Sequence, residues 1–318
     1  MKIVAVDGQL LAPGDNPWTP IESLGELTVH QRTSPDQTVE RLAGADVVLT
    51  NKVVLDQAVL SQLPDLKFIG VTATGYNVVD VEFARSRDIP VSNVPVYSTD
   101  SVAQHAFACI LSFIHKPQLH HEAVLKGQWE SCEDFAFWIS PLQELVGKTF
   151  GVVGLGRIGR ATARVAAALG MKVVAHSRRQ VDPLDSPGFE WLSMEELFAQ
   201  SDIVSLHCPQ TPETTSFVNS ELISKMKPTS LLVNMSRGGL INEADLAAAL
   251  DGGKIAGAIV DVVSAEPILG SNPLPKAKNI LITPHIAWST IEARTRLMQT
   301  TADNIAAFQK GSPINVVN

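Results

Sequence analysis

The run Phe150-Gly151-Val152-Val153-Gly154-Leu155-Gly156-Arg157-Ile158-Gly159 constrains this chain more than any other, because an apolar, β-rich stretch passes through a GxGxxG turn into the alanine-rich segment Ala161 to Leu169. Strand, glycine turn and helix in that order predict a βαβ unit, and with it a parallel sheet covered by helices. Each glycine has its own task in such a unit. Gly154 allows the tight turn, Gly156 lets backbone N–H groups approach a pyrophosphate, and Gly159 lets the helix lie close on the strand, with the helix N-terminus facing the anion. The plain alternative is a glycine-rich turn that binds nothing, and the flanking strand and helix favour the dinucleotide reading over it.

At 318 residues the chain exceeds what one hydrophobic core usually serves, so two domains are expected, and a hydrophobic fraction of 45% suffices to bury both. No run approaches the roughly 18 uninterrupted apolar residues of a membrane span. Met1 to Asp7 reads as a first strand, since Asp7 interrupts it too early for a signal segment, and the protein is expected in the cytoplasm. A formal net charge of −8, with Arg178-Arg179 as the one short basic pair, argues against nucleic acid or an anionic membrane as partner and points to a small molecule. Three cysteines, Cys109, Cys132 and Cys208, lack CxxC spacing and suit a reducing compartment. His207 beside Cys208 suggests a nucleophilic dyad, but neighbours in a strand point to opposite faces.

From the N-terminus, strand-like runs at Ile3 to Val6, Thr28 to His30, Asp46 to Thr50 and Lys67 to Val71 alternate with helical runs such as Thr38 to Ala43 and Leu55 to Leu63. After Val91 to Pro95 a long helix is expected from Ser101 to about His121, capped by Asp100 or Ser101 and crossing into a second domain. That domain holds the glycine turn and strands at Lys172 to Ala175, Ile203 to His207, Leu231 to Asn234, Ala258 to Asp261 and Ile280 to Thr283. A last helix, Thr290 to Lys310, is long enough to return across the first domain. The expectation is α/β: two Rossmann-like or flavodoxin-like lobes, one of residues 1–100 and 290–318 and one of residues 101–289, with ligands in a cleft where the lobes meet.

Three side chains follow strands of the second lobe. Arg237, after Leu231 to Asn234, carries a planar guanidinium that grips a carboxylate with two hydrogen bonds; its plain alternative is a surface ion pair. Glu266 and His285 follow the next two strands. A carboxylate bonded to an imidazole favours the protonated ring, the form that gives a proton to a carbonyl oxygen. Either residue alone reads best as a solvated loop side chain, but the two together after a dinucleotide turn read as a catalytic pair. His105, His115, His120 and His121 form no HxxxH or Cys/His spacing, so no metal is expected. Trp288, three residues after His285, either walls a substrate pocket or packs in the core.

With these residues in this order, the chain resembles the D-isomer-specific 2-hydroxyacid dehydrogenases over essentially its whole length. Within that family the resemblance runs to bacterial glycerate dehydrogenases, also called hydroxypyruvate reductases. It rests on Asp7-Gly8, Ala73-Thr74-Gly75-Tyr76-Asn77, the stretch from Tyr97 to His105, Ser205-Leu206-His207-Cys208-Pro209 and Pro284-His285-Ile286-Ala287-Trp288. The resemblance implies that Arg237 holds a 2-oxo acid, that His285 protonates its carbonyl oxygen, and that Glu266 orients and charges His285. It implies further that Thr74 and Gly75 take the substrate carboxylate, with Asn51 and Lys52 nearby. On the cofactor side it places Arg157, Ile158 and Thr214 at the phosphates, Met235 and Ser236 with Arg237 along the nicotinamide ribose, Asp261 at the carboxamide, and Cys208 and Pro209 beside the adenosine. The helix from Ser101 to His121 and the aromatic segment Trp129 to Trp138 resemble a dimerisation region, so a homodimer is expected; in some family members a Trp from the partner reaches the active site, which makes Trp138 a secondary candidate.

One departure bears on the cofactor. Many family members end the second strand of this lobe with an Asp that holds the ribose hydroxyls, whereas here Ser177 stands there, followed by Arg178 and Arg179. Losing the carboxylate removes repulsion toward a 2′-phosphate and the arginines add charge-assisted partners, so among NAD(P)H forms NADP(H) is expected to be accepted at least as well as NAD(H). A solvated basic turn is the alternative. The activity implied is reduction of hydroxypyruvate, with glyoxylate, to the D-hydroxy acid. A bulkier 2-oxo acid and a non-catalytic dinucleotide-sensing scaffold stand beside it, and the compact end at Pro313 to Asn318 favours the enzyme.

Overall fold

The protein is described by a computed structural model that covers residues 1–12, 14–180 and 182–318. It divides into two compact units, Met1–Ser98 with Ser289–Asn318, and Thr99–Trp288. The first unit opens with β1 (Lys2–Ala5), α1 (Thr19–Glu22), β2 (Glu26–Val29), α2 (Thr38–Leu42), β3 (Val47–Thr50), α3 (Gln57–Leu60), β4 (Phe68–Val71), α4 (Val81–Ser86) and β5 (Val91–Ser92). Its five strands form one parallel sheet in the order β2-β1-β3-β4-β5. Every residue of β3 and β4 is buried, as expected for strands covered on both faces.

The second unit contains α5 (Thr99–His115), α6 (Pro117–Leu125), β6 (Thr149–Val153), α7 (Arg157–Ala168), β7 (Lys172–His176), β8 (Glu190–Trp191), α8 (Met194–Gln200), β9 (Ile203–Leu206), α9 (Ser220–Lys225), β10 (Leu231–Asn234), α10 (Glu243–Asp251), β11 (Gly257–Val260) and β12 (Ile280–Ile282). Its parallel sheet runs β12-β11-β10-β9-β6-β7-β8, so the strand order reverses between β6 and β9. Ligands of such sheets bind outside the carboxyl ends of the strands at that reversal. One face of the sheet is covered by α5 and α7, where Phe107 and Ile110 meet Phe150 and Ala163; on the other, Leu197 and Phe198 of α8 pack with Val204 and Leu206.

The last helix, α11 (Ile291–Gln309), belongs to the first unit, with Thr290 as its N-cap. Its Phe308 ring stacks on Phe68 of β4 at 4.8 Å, and its buried Arg294 grips both oxygens of Asp15 at 2.5 and 2.6 Å. Past the helix the chain joins the sheet edge, where Val317 N–H donates to Val91 O and Asn93 N–H to Asn315 O.

The α/β architecture and the strands follow the sequence pattern to within a residue or two, but the expected helix from Ser101 to His121 is two helices. Pro117 cannot continue a helix, and Lys116 before it adopts a left-handed backbone (φ 48°, ψ 49°) that ends α5 and starts α6. Neither Asp100 nor Ser101 caps α5. Both lie inside its first turn, and Ser101 Oγ instead donates to Ala287 O at 2.6 Å. The short edge strand β8 carries no periodic signal and was not anticipated.

Candidate active site

The glycine turn is built as a tight internal joint with one open side. Gly154 has φ 96°, and a Cβ there would lie 2.7 Å from Cys208 N and 2.8 Å from the His207 carbonyl carbon, so only glycine fits. A Cβ on Gly159 would lie 2.2 Å from Gly154 O. At Gly156, the N-cap of α7, nothing stands within 4 Å of where a Cβ would be. Arg157 and Ile158 are the first residues of that helix, so their N–H groups have no intrahelical acceptor and the helix N-terminus presents a positive end to an anion. This is a cradle into which a pyrophosphate fits.

Beside the cradle, Ser177 Oγ accepts the Leu155 N–H at 2.7 Å, which ties the end of β7 to the turn and leaves the hydroxyl proton free to donate outward. Arg178 and Arg179 are exposed. A hydrogen bond from Thr211 holds the Glu213 carboxyl below its usual range, and the Arg178 charge adds to the effect. In the loop after β9 Thr214 Oγ1 donates to Pro209 O at 2.9 Å, and Ser236 Oγ donates to Cys208 O at 2.7 Å. Cys208, Pro209, Thr214, buried Met235 and Ser236 thus share the carboxyl edge of β9 and β10.

His207 pairs with Ser205 rather than with Cys208. His207 Nε2 meets Ser205 Oγ at 2.9 Å, and burial pushes the imidazole down to about 4 while it pushes the Cys208 thiol up to about 11. Neither group is poised to exchange a proton with the other. Among the described residues all three cysteines are free thiols, and no group of three or more His, Cys, Asp or Glu side chains could hold a metal ion.

Arg237, Glu266 and His285 lie after β10, β11 and β12, three neighbouring strands whose carboxyl ends share one edge. Arg237 is exposed, its Nη1 donating to Ser236 O at 2.7 Å. The turn that carries it is shaped by Asn234, fully buried, which donates to Arg237 O at 2.8 Å and accepts from Ser236 N–H at 3.1 Å. Gly238 then presses this turn onto the next loop: a Cβ there would lie 1.9 Å from the Val263 carbonyl carbon and 2.4 Å from Ser264 N. Sequence reasoning missed both Asn234 and Gly238, whose value shows only once two loops are side by side.

Glu266 Oε2 and His285 Nδ1 are 2.6 Å apart, with side chains 31% and 29% exposed. With a carboxylate on Nδ1, that nitrogen carries a proton, and Nε2 is left for exchange with a reacting group. Val263 N–H donates to the second Glu266 oxygen at 3.3 Å. Trp288 is half-buried, and Asp261 is buried at the root of the His285 loop.

In the first unit, Asp7 organises the loop after β3 by accepting from the N–H groups of Asn51, Lys52 and Val53 at 2.6 to 3.1 Å. Asn51 is buried and donates to Thr72 O at 2.8 Å, and Lys52 is exposed. Thr74 Oγ1 donates to Val94 O at 2.9 Å while Asn93 Nδ2 donates to Thr74 O at 2.7 Å, which fixes the backbone of Thr74-Gly75 at the end of β4. Trp138 stands 70% exposed on the segment between α6 and β6.

Among the described residues no helix is long and apolar enough to cross a membrane. The family model for the NAD binding domain of D-isomer specific 2-hydroxyacid dehydrogenases matches residues 107–287, more than half of the chain. The chain is 49% identical over 321 residues, with all of both chains covered, to the hydroxypyruvate reductase of Blautia hydrogenotrophica. It is 38% identical over 286 residues, 89% of each chain, to the glycerate dehydrogenase of Methylorubrum extorquens. Among solved structures it is similar, at a TM-score of 0.84 and 29% identity over the whole of both chains, to an acyclic imino acid reductase in complex with NADPH and D-Arg. Glycine turn, strand-end arginine and carboxylate–imidazole pair therefore sit in a chain that belongs to the D-isomer-specific 2-hydroxyacid dehydrogenases.

Proposed function

We propose that this chain reduces hydroxypyruvate to D-glycerate, and glyoxylate to glycolate, with His285 as the proton donor. The observation that carries the reading is the 2.6 Å contact of Glu266 with His285 Nδ1 on the sheet edge that also bears Arg237 and the glycine turn. Full-length identity of 49% to a hydroxypyruvate reductase supports this choice of substrate.

Arg237 grips the oxo acid through paired guanidinium hydrogen bonds and stabilises the charge that develops on its carbonyl oxygen. His285 gives the Nε2 proton to that oxygen, and Glu266, on Nδ1, keeps the ring oriented. In the reverse direction His285 accepts the proton. The dinucleotide, when bound, supplies or takes the hydride at substrate carbon 2. It would be held in the Thr99–Trp288 unit by Gly154, Gly156, Arg157, Ile158, Gly159, Cys208, Pro209, Thr214, Met235 and Ser236. Thr74 and Gly75 backbone N–H groups, with Asn51 and Lys52, would take the substrate carboxylate, and Trp288 would wall its side chain.

NADP(H) is favoured over NAD(H). The outward hydroxyl proton of Ser177 and the exposed Arg178 and Arg179 suit an acceptor-rich 2′-phosphate better than a pair of ribose hydroxyls. Leu125, Trp129, Phe135, at 93%, and Trp138 are large apolar side chains left exposed on and after α6, which a second copy of the chain would cover, so the working form is a homodimer to which Trp138 contributes. Three free thiols accord with a cytoplasmic setting.

Initial rates of hydroxypyruvate and glyoxylate reduction with NADPH and with NADH, at matched subsaturating cofactor, test the proposal. Turnover with NADPH faster than with NADH is expected. An NADH preference refutes the 2′-phosphate site alone, and binding of dinucleotide without turnover of any 2-oxo acid makes the chain a scaffold instead.

A further inference from the structure

A second set of contacts, which the proton transfer does not use, converges on the backbone of the His285 loop. Asp261, at the carboxyl end of β11, is 1% exposed. Its Oδ1 accepts from Thr283 Oγ1 at 2.6 Å and from Ile286 N–H at 2.9 Å, and its Oδ2 accepts from Ala287 N–H at 2.9 Å. Its backbone carbonyl accepts from His285 N–H at 2.7 Å. One residue therefore holds four donors from the five-residue stretch Thr283 to Ala287. In the middle of that stretch His285 has φ 55°, a left-handed backbone that a β-carbon disfavours and that persists only where its surroundings enforce it.

The helix α5 holds the same loop. Thr283 Oγ1, having given its proton to Asp261, can accept from His105 Nε2 at 3.2 Å, and Ala287 O accepts from Ser101 Oγ at 2.6 Å. Cys109, one turn along, lies 3.5 Å from the same His105 nitrogen, and burial, aided by the Asp261 charge, pushes its thiol up to about 11, so it stays a neutral packing partner. A carboxylate has about four acceptor positions, and three are filled here by protein donors. Hydrogen bonds to an ionised acceptor are roughly twice as strong as neutral ones, which makes Asp261 a strong constraint on where the loop can sit.

We propose that Asp261, seconded by Thr283, is a positioning residue for the reduction: its buried carboxylate clamps Thr283 to Ala287 in the strained conformation that aims the His285 ring at Glu266 and the substrate. This rests on His285 being the proton donor. It is separate from the carboxamide contact that family resemblance implies, for which one lone pair on Oδ2 remains.

Asp261→Asn is the test, because the amide is isosteric but its NH2 must face a backbone N–H of either Ile286 or Ala287, and that donor is then buried unpaired. In the purified protein, kcat for hydroxypyruvate reduction should fall ten- to hundredfold. The dissociation constant of the dinucleotide, read from nicotinamide fluorescence, should move less than threefold. Amide hydrogen exchange over residues 283–288 should speed up at least tenfold while far-UV circular dichroism is unchanged. Thr283→Ser should behave as wild type and Thr283→Val should lose kcat in the same direction as Asp261→Asn. The proposal is overturned if Asp261→Asn leaves exchange and kcat as they were, or if the whole effect is weaker dinucleotide binding with kcat retained at saturation. Should the wild-type chain show no turnover, the proposed reaction fails on its own, and the exchange measurement still decides whether Asp261 clamps the loop.

Discussion

Replacing Gly238 by alanine separates catalysis from cofactor binding. The added methyl carbon would begin 1.9 Å from the Val263 carbonyl carbon, 2.1 Å from its oxygen and 2.4 Å from Ser264 N, all backbone atoms that cannot rotate away. Ordinary contact needs about 3.5 Å, so the turn bearing Arg237 and the loop bearing Glu266 must part by about 1.5 Å. Neither is free to yield: Asn234 pins the first through two hydrogen bonds, and Glu243 pins the second by accepting from Ser264 N–H and Oγ at 2.7 and 2.6 Å. Overpacking of this kind costs about 1–3 kcal/mol of stability, which leaves a folded protein. A misplacement of about 1 Å at a catalytic group costs about a hundredfold in rate, or about 2.7 kcal/mol of transition-state stabilisation, so kcat/KM for hydroxypyruvate should fall by about that factor. The assay is steady-state reduction with saturating NADPH, alongside thermal melting and fluorescence titration of the dinucleotide, whose affinity should hold within about threefold. A folded G238A enzyme within fivefold of wild-type kcat/KM would refute the claim that this contact sets the spacing of Arg237 and Glu266.

The converse change, Gly156→Ala, meets nothing within 4 Å at a backbone (φ −78°, ψ −163°) that alanine adopts freely. Melting should therefore be unchanged or raised by the equivalent of about 0.4–1 kcal/mol, while dinucleotide affinity by titration falls at least tenfold. Glu266→Gln removes the carboxylate that fixes the His285 ring through Nδ1, and in steady-state assays kcat for hydroxypyruvate should drop about ten- to hundredfold. His207, held down to about 4 against an ordinary 6.5, is neutral when folded, so the unfolded chain binds the extra proton as pH falls. The stability it contributes is complete above pH 6.5 and is lost toward pH 4. About 2 kcal/mol should disappear between pH 7 and 5 in urea melts, and much less in His207→Gln.

The parallel sheets could be read from the chain because β3, β4, β9, β10 and β11 are buried on both faces and so are written as largely apolar runs, with few polar residues such as Ser205. Arg237, Glu266 and His285 stood out for a related reason, since each is a chemically versatile residue set just past such a run. The break at Lys116 was signalled by Pro117 but masked by the apolar run before it. Contacts made through space left no local mark: Gly238 is one glycine among many until Val263 is beside it, and His105 looks like any helical histidine until Thr283 arrives from 178 residues away. Asn234 shows the same limit, because a buried amide at a strand end is legible only through the turn it closes.

The Met1–Ser98 segment and α11 make one unit from the two ends of the chain, while Thr99–Trp288 is continuous. On the ribosome the order of completion is therefore inverted. The sheet β2-β1-β3-β4-β5 is made before α11, so Phe68 lacks Phe308 to cover it, and Val91 lacks Val317, until residues 308–317 have been synthesised and have cleared the ribosome. The middle unit has all its strands before that and can fold while the earlier segment waits with apolar surface uncovered. Nascent chains stalled before α11 should thus be the aggregation-prone species, the ones a chaperone must hold longest.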